Sequence, residues 1–285
     1  MKIAIIHYWW ITNRGGEAVV CALSDLYPSA DIFLHVGDDK LIKKTLGDRF
    51  KGNIFKTFIS KLPWPEKFYQ RYLPLMPRAL EALDMCDYDL VISSESGPAK
   101  GVITRPDAIH LCYCHSPMRY IWDMEAGYKE KMSWLPRKVF GFMSHRLRIW
   151  DFVSSARVDG FIANSNFISS RIKKYYRRES TVIYPPVNVS EFNSTEPRQD
   201  YYLCLGQLVG YKKADLAVAA FKRLKLPLIV IGEGELFESL NSDKDPHIKL
   251  LGRQEFSIVK YYLETCKALI FPGVEDFGIV PVEAM

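Results

Sequence analysis

The sequence predicts an α/β protein built from two Rossmann-like domains in tandem that face a cleft. Three observations carry this expectation. Apolar runs of roughly four to eight residues recur along the chain, bounded by turn formers. Amphipathic stretches separate several of them, a rhythm that argues for parallel sheets with helices on both faces. Near residues 185–200 the texture changes to PPVNVSEFNSTEPRQD, after which the strand–helix rhythm starts again.

In the first domain, residues 1–186, the runs KIAIIH, DIFLHV, DLVISS, IHLCYCH and GFIANS read as buried strands, and GGEAVVCALSDLYP and FISSRIKKYY as helices. Residues 187–199 read as a linker. In the second domain, residues 200–285, strand YYLCLGQL is followed by helix ADLAVAAFKRL, strands LPLIVIGEG and IKLLG, helix FSIVKYYLE and strand ALIFPG. A doubly wound sheet is typically ordered 3-2-1-4-5-6, and ALIFPG is only the fourth strand. The second domain is therefore expected to be incomplete at its C-terminus. That leaves an open sheet edge suited to self-association, and a chain weakly active or inactive alone.

Of the 285 residues, 48% are hydrophobic and 25% charged, the balance of a globular protein rather than a disordered one. No apolar run reaches the ~18–20 residues of a membrane-spanning helix. The opening MKIAIIHYWWI lacks a small-residue cleavage site and runs into TNRGGE, so it reads as a first strand rather than a signal peptide. Six cysteines without CxxC spacing fit reduced, buried thiols and a cytoplasmic location. The formal charge of +5 favours anionic partners.

Four short stretches could carry chemistry, and each also has a plain structural reading. Gly15 and Gly16 open a helix after the first strand, where backbone can approach an anion, although glycine pairs are common turn devices. His115 ends a buried strand, where ligands of parallel sheets bind, although isolated histidines are often structural. Lys212 and Lys213 lie between strand and helix, either as phosphate ligands or as a solvated loop. In EDFGIVPVE, Glu275 and Glu283 stand eight residues apart around Gly278. Backbone amides of Phe277, Gly278, Ile279 and Val280 are expected to face the cleft, with the carboxylates accepting from sugar hydroxyls.

GGEA, CHSPMRYIWD, YPPVNVSEF, LCLGQLVGYKKADLAVAAF, VIGEGE, KLLGR and EDFGIVPVEAM, in this order, resemble glycosyltransferase family 4. These are retaining nucleotide-sugar enzymes of the GT-B fold. HSPMRYIWD is most similar to the mannosyltransferase-like branch that builds bacterial surface polysaccharides. The resemblance implies that Gly15 and Gly16 approach the donor diphosphate, and that His115 contacts the transferred sugar. It implies that Lys212 binds the leaving diphosphate, Glu275 the sugar hydroxyls and Glu283 the ribose, with Gln207 where the family often has arginine. It implies a GDP-mannose donor, UDP-sugars being second, and no metal. The alternatives are a partner-dependent, non-catalytic sugar-nucleotide-binding protein and a dehydrogenase. The lack of G-x-G-x-x-G after the first strand counts against the latter.

Residues 51–80 hold six basic residues, one acidic residue and six aromatics, and residues 131–150 add five Lys and Arg without an acid. Basic side chains interleaved with aromatics suit an anionic lipid interface. The expected acceptor is a lipid-linked glycan at the inner face of the cell membrane. No recognised nucleic-acid module accompanies the pattern, so no nucleic-acid partner is expected.

Overall fold

The computed structural model describes residues 1–130, 132–192, 195–243 and 245–285. Lys131 of the basic stretch and Asn193 and Ser194 of the expected linker lie outside them. The chain divides into two compact units, Met1–Pro186 and Val187–Met285.

The strands of the first unit are β1 (Ile3–His7), β2 (Trp9–Trp10), β3 (Asp31–Leu34), β4 (Val36–Gly37), β5 (Ile54–Lys56), β6 (Leu90–Glu95), β7 (Ile109–Cys114), β8 (Gly160–Ala163) and β9 (Ser180–Val182). Seven form one parallel sheet in the order β5-β3-β1-β6-β7-β8-β9, and β2 pairs with β4 beside it. Alternate residues of β1 feed opposite cores. Ile3 and Ile5 pack with Val20 of the helix Gly15–Leu26, while Ala4 and Ile6 pack with Val91 and Val102. A strand covered on both faces reads as the unbroken apolar run seen in the sequence. β5 and β9 are three residues each, and neither carries the apolar run that marks the central strands.

In the second unit β10 (Tyr202–Leu205), β11 (Leu228–Ile231), β12 (Ile248–Gly252) and β13 (Ala268–Leu269) form a parallel sheet ordered β12-β11-β10-β13. In order of appearance this is 3-2-1-4, with the expected fourth strand at the edge. Cys204 faces the helix Ala214–Leu224, and Leu203 faces Leu263 of the helix Phe256–Thr265. Part of the expected linker is tied to this unit: Phe192 packs on Phe256, Arg198 donates to the Cys266 carbonyl and the Gln199 amide to that of Thr265.

A 22-residue helix, Trp134–Ser155, connects β7 to β8 and has no counterpart among the expected elements. Its buried positions are Ser144, Leu147, Asp151, Ser154 and Ser155. Trp134, Leu135, Val139, Phe142, Ile149, Phe152 and Val153 are exposed. The inner face is mostly polar and the outer one apolar, the reverse of the pattern by which a surface helix is recognised. Leu147 joins the cluster of Ile59, Leu73, Met76, Met118 and Ile121, so the stretches 51–80 and 131–150 pack into one core.

Candidate functional site

Each sheet reverses its strand order at one place, and crevices outside the carboxyl ends of strands at such points are where open α/β sheets bind ligands. In the first unit the reversal lies between β1 and β6, in the second between β10 and β13.

At the first, parallel register sets His7 of β1 beside Ser94 of β6, and Ser94 beside Tyr113 of β7. His115 follows two residues after Tyr113, on the same face. The Ser94 hydroxyl lies 3.1 Å from His7 Nδ1 and 2.8 Å from His115 Nε2, bridging the two rings. Burial, and secondly the neighbouring His7 ring, lower the His115 imidazole to about 3, so it is neutral near pH 7. Gly15 and Gly16 begin the helix, but not directly after β1: Tyr8, β2 and residues 11–14 intervene. A Cβ on Gly16 would sit 2.6 Å from the Tyr8 hydroxyl, so a larger residue there would have to displace that side chain. Glu17 turns back to accept from the Arg14 amide at 2.9 Å, capping the helix, and its Oε1 stands 3.8 Å from His7 Nε2.

In HSPMRYIWD only His115 belongs to this group among the residues whose partners are described. Ser116 Oγ and Asp123 Oδ1 accept from buried Arg171, Trp122 donates to Asp151, and Met118 and Ile121 are core. Most of that motif is scaffold.

At the second reversal, Lys212 follows β10 and Glu275 follows β13, and their side chains pair at 2.7 Å. They line a recess with Gly206, Gln207, Pro272 and Gly273. Lys212 ends the short turn Gly210–Lys212, and Lys213 adopts a left-handed backbone (φ 56°), a costly conformation for a non-glycine residue that turns the chain into its helix. Gly273 is required by close approach: a Cβ there would lie 2.7 Å from Lys212 Cα. Gln207 is exposed at the mouth. Gly278 is left-handed (φ 86°) and caps the helix Ile279–Ala284. That helix has six residues, so the amides of Gly278, Ile279 and Val280 offer hydrogen bonds rather than a strong dipole. Phe277 lies in the loop before it. The Glu283 carboxyl is raised by burial first and by Glu191 second.

The structure thus brings Lys212 and Glu275 together, and joins His115 to His7 and Ser94, two residues that sequence reasoning missed. Register parity at the carboxyl ends of β1, β6 and β7 is the signal that finds them. Among the described residues no cluster of three His, Cys, Asp or Glu side chains is arranged to hold a metal ion.

Comparison with known proteins defines the class. The model for Glycosyltransferase Family 4 matches residues 13–191, and that for Glycosyl transferases group 1 matches residues 188–285. The chain belongs to glycosyltransferase family 4. A glycosyltransferase of Methanocaldococcus jannaschii, described as uncharacterized, is 30% identical over 132 residues, which are 45% of this chain and 37% of that one. The chain thus matches little more than a third of that relative's length. Among solved structures, Anabaena HepE in complex with UDP-glucose superposes with a TM-score of 0.62 at 14% identity, covering 100% of this chain and 78% of that one. TarM gives 0.65 at 10% identity, covering 100% and 83%. At these identities the likeness is one of fold, and the fold is GT-B.

Proposed function

We propose that the protein is a retaining glycosyltransferase that moves a sugar from a nucleoside diphosphate donor to a lipid-linked glycan. The observation that carries this reading is the Lys212–Glu275 pair, set among close-packed glycines at the switch point of the second sheet. An ion pair held in a recess is a pre-positioned cation for a departing diphosphate, with a carboxylate beside it to accept from sugar hydroxyls. The transition state has oxocarbenium character. Negative charge grows on the diphosphate, which Lys212 stabilises. His115 contacts the transferred sugar, Glu283 takes the ribose, and the leaving phosphate removes the proton of the acceptor hydroxyl. GDP-mannose is the first donor to test, from the HSPMRYIWD resemblance. A UDP-sugar is the second reading, favoured by the UDP-glucose bound to HepE.

The acceptor side is assigned to the helix Trp134–Ser155. Trp134 is 72% exposed, Leu135 62% and Phe142 61%, with Arg137, Lys138, His145 and Arg146 on the same outer surface. The helix's one acid, Asp151, is buried. An apolar stripe flanked by cations fits an anionic lipid surface, and this helix supports that role better than residues 51–80 alone. Among the described residues no helix is long and apolar enough to cross a membrane. Self-association through β13 has only two residues of edge strand to work with, and sedimentation velocity tests it.

Isothermal titration against GDP- and UDP-sugars, with and without EDTA, is the direct test. One of these donors should bind, EDTA should leave that binding intact, and His115→Ala and Glu275→Ala should cut turnover far more than affinity. Binding of none of them, or mutants with ordinary turnover, would overturn the reading.

A further inference from the structure

His115 does not stand alone: it is the half-buried end of a line of four side chains at the first switch point, the other three buried. The line starts at Glu17. Its Oε2 is committed to the Arg14 amide, and its Oε1 faces His7 Nε2 at 3.8 Å. His7 is fully buried, and its Nε2 has no hydrogen-bond partner among the described residues. Tyr8 lies against the His7 ring at 4.1 Å and Trp10 meets it edge-on at 6.0 Å, so the ring has little freedom to turn. Its Nδ1 reaches the Ser94 hydroxyl, which also meets His115 Nε2.

A serine hydroxyl has one proton, so it can donate to only one of the two rings. The carboxylate beside His7 Nε2 favours the proton on that nitrogen. Where the His7 ring carries that single proton, its Nδ1 is an acceptor. Ser94 must donate to His7, and His115 must donate from Nε2 to Ser94. His115 Nδ1 is left with its lone pair. We propose that Glu17, His7 and Ser94 are positioning residues that fix the tautomer of His115, making its Nδ1 a hydrogen-bond acceptor for a sugar hydroxyl rather than a donor. The link to a sugar rests on the role proposed above for His115; the tautomer itself does not.

The line makes a sharp prediction for an isosteric change. In Glu17→Gln the Arg14 amide still needs an oxygen, so the side-chain NH₂ turns to His7 Nε2. That nitrogen becomes an acceptor, His7 Nδ1–H donates to Ser94, Ser94 donates to His115 Nε2, and the His115 proton moves to Nδ1. Long-range ¹H–¹⁵N correlation spectra of the ¹⁵N-labelled chain near pH 7.5 read this directly, without ligand or activity. The wild type should carry the His115 proton on Nε2, with a preference of about tenfold, the equivalent of one buried hydrogen bond. Glu17→Gln should reverse the preference. Ser94→Ala should bring it near parity, and Ser94→Thr, which keeps the hydroxyl, should retain it. One tautomer common to all four proteins, or a wild-type proton on Nδ1, would overturn the proposal. Should His115→Ala leave turnover intact while the tautomer responds as stated, the sugar contact fails and the positioning line stands.

Discussion

Lys100 is fully buried, and its ammonium meets Glu95 at 2.5 Å and also the Asp151 carboxylate and the Tyr176 hydroxyl. Burial raises the Glu95 carboxyl, an effect that the lysine opposes. Glu95 is the neighbour of Ser94 and points to the opposite face of β6, so this cluster holds the strand end that carries the Ser94 bridge. One cation thereby ties β6 to the helices Trp134–Ser155 and Asn166–Tyr176. Removing one partner of a buried charge group strands the others, at a cost of about 3–5 kcal/mol. Lys100→Met should therefore lose roughly that much in urea unfolding at pH 7.5, although it conserves volume; a loss under about 1 kcal/mol would mean that the acids are neutral in the fold. None of this is legible in SESGPAK, where Lys100 reads as a surface residue. Charges are usually outside, and only the tertiary fold supplies the compensating acids.

At the scale of elements, the strands were legible and the longest helix was not. β1, β6 and β7 are covered on two sides and announce themselves as apolar runs. The helix Trp134–Ser155 buries serines and an aspartate and exposes its apolar residues, so hydrophobic periodicity points the wrong way. That inversion is also the reason the helix is proposed as the lipid-facing surface. The chain should float with anionic vesicles and less so with neutral ones, and rising salt should weaken the binding. Replacing Arg137 and Lys138 by Glu together with Phe142→Ala should abolish flotation, whereas Trp64→Ala, in the other basic stretch, should leave most of it. Loss in Trp64→Ala alone would move the interface to residues 51–80. Equal binding to neutral vesicles at every salt concentration would refute the electrostatic part.

Over the whole molecule, the fully buried histidines are in the first unit, among them His35 and His110, both lowered to about 4 with burial the main cause. Unfolded, each titrates near 6.5. Between those values the unfolded chain binds a proton that the folded chain does not, so stability falls as pH drops from about 6.5 to about 4 and levels below. Each histidine costs roughly 2 kcal/mol by pH 5. The raised Glu95 and Glu283 act in the opposite sense, against three lowered imidazoles, His35, His110 and His115. The urea midpoint should therefore fall between pH 7.5 and pH 5, with the first unit opening first by hydrogen exchange. A midpoint that stays put would mean that these rings are solvated.

The sequence by itself determined the alternation of strand and helix, the return of that rhythm after residue 200, the strand order of the second sheet and the stretches that bear Lys212, Glu275 and His115. Those are local matters: apolar runs, turn formers and glycine placement act within a few residues and survive in a one-dimensional reading. Only the tertiary structure decided that Lys212 and Glu275 pair, that Gly273 exists to let Lys212 approach, and that His115 is the end of a line through Ser94 and His7 to Glu17. Those contacts join residues 63 apart in the first case and 87 apart between His7 and Ser94. They depend on which strands become neighbours and in what register, which the folding of the whole sheet sets.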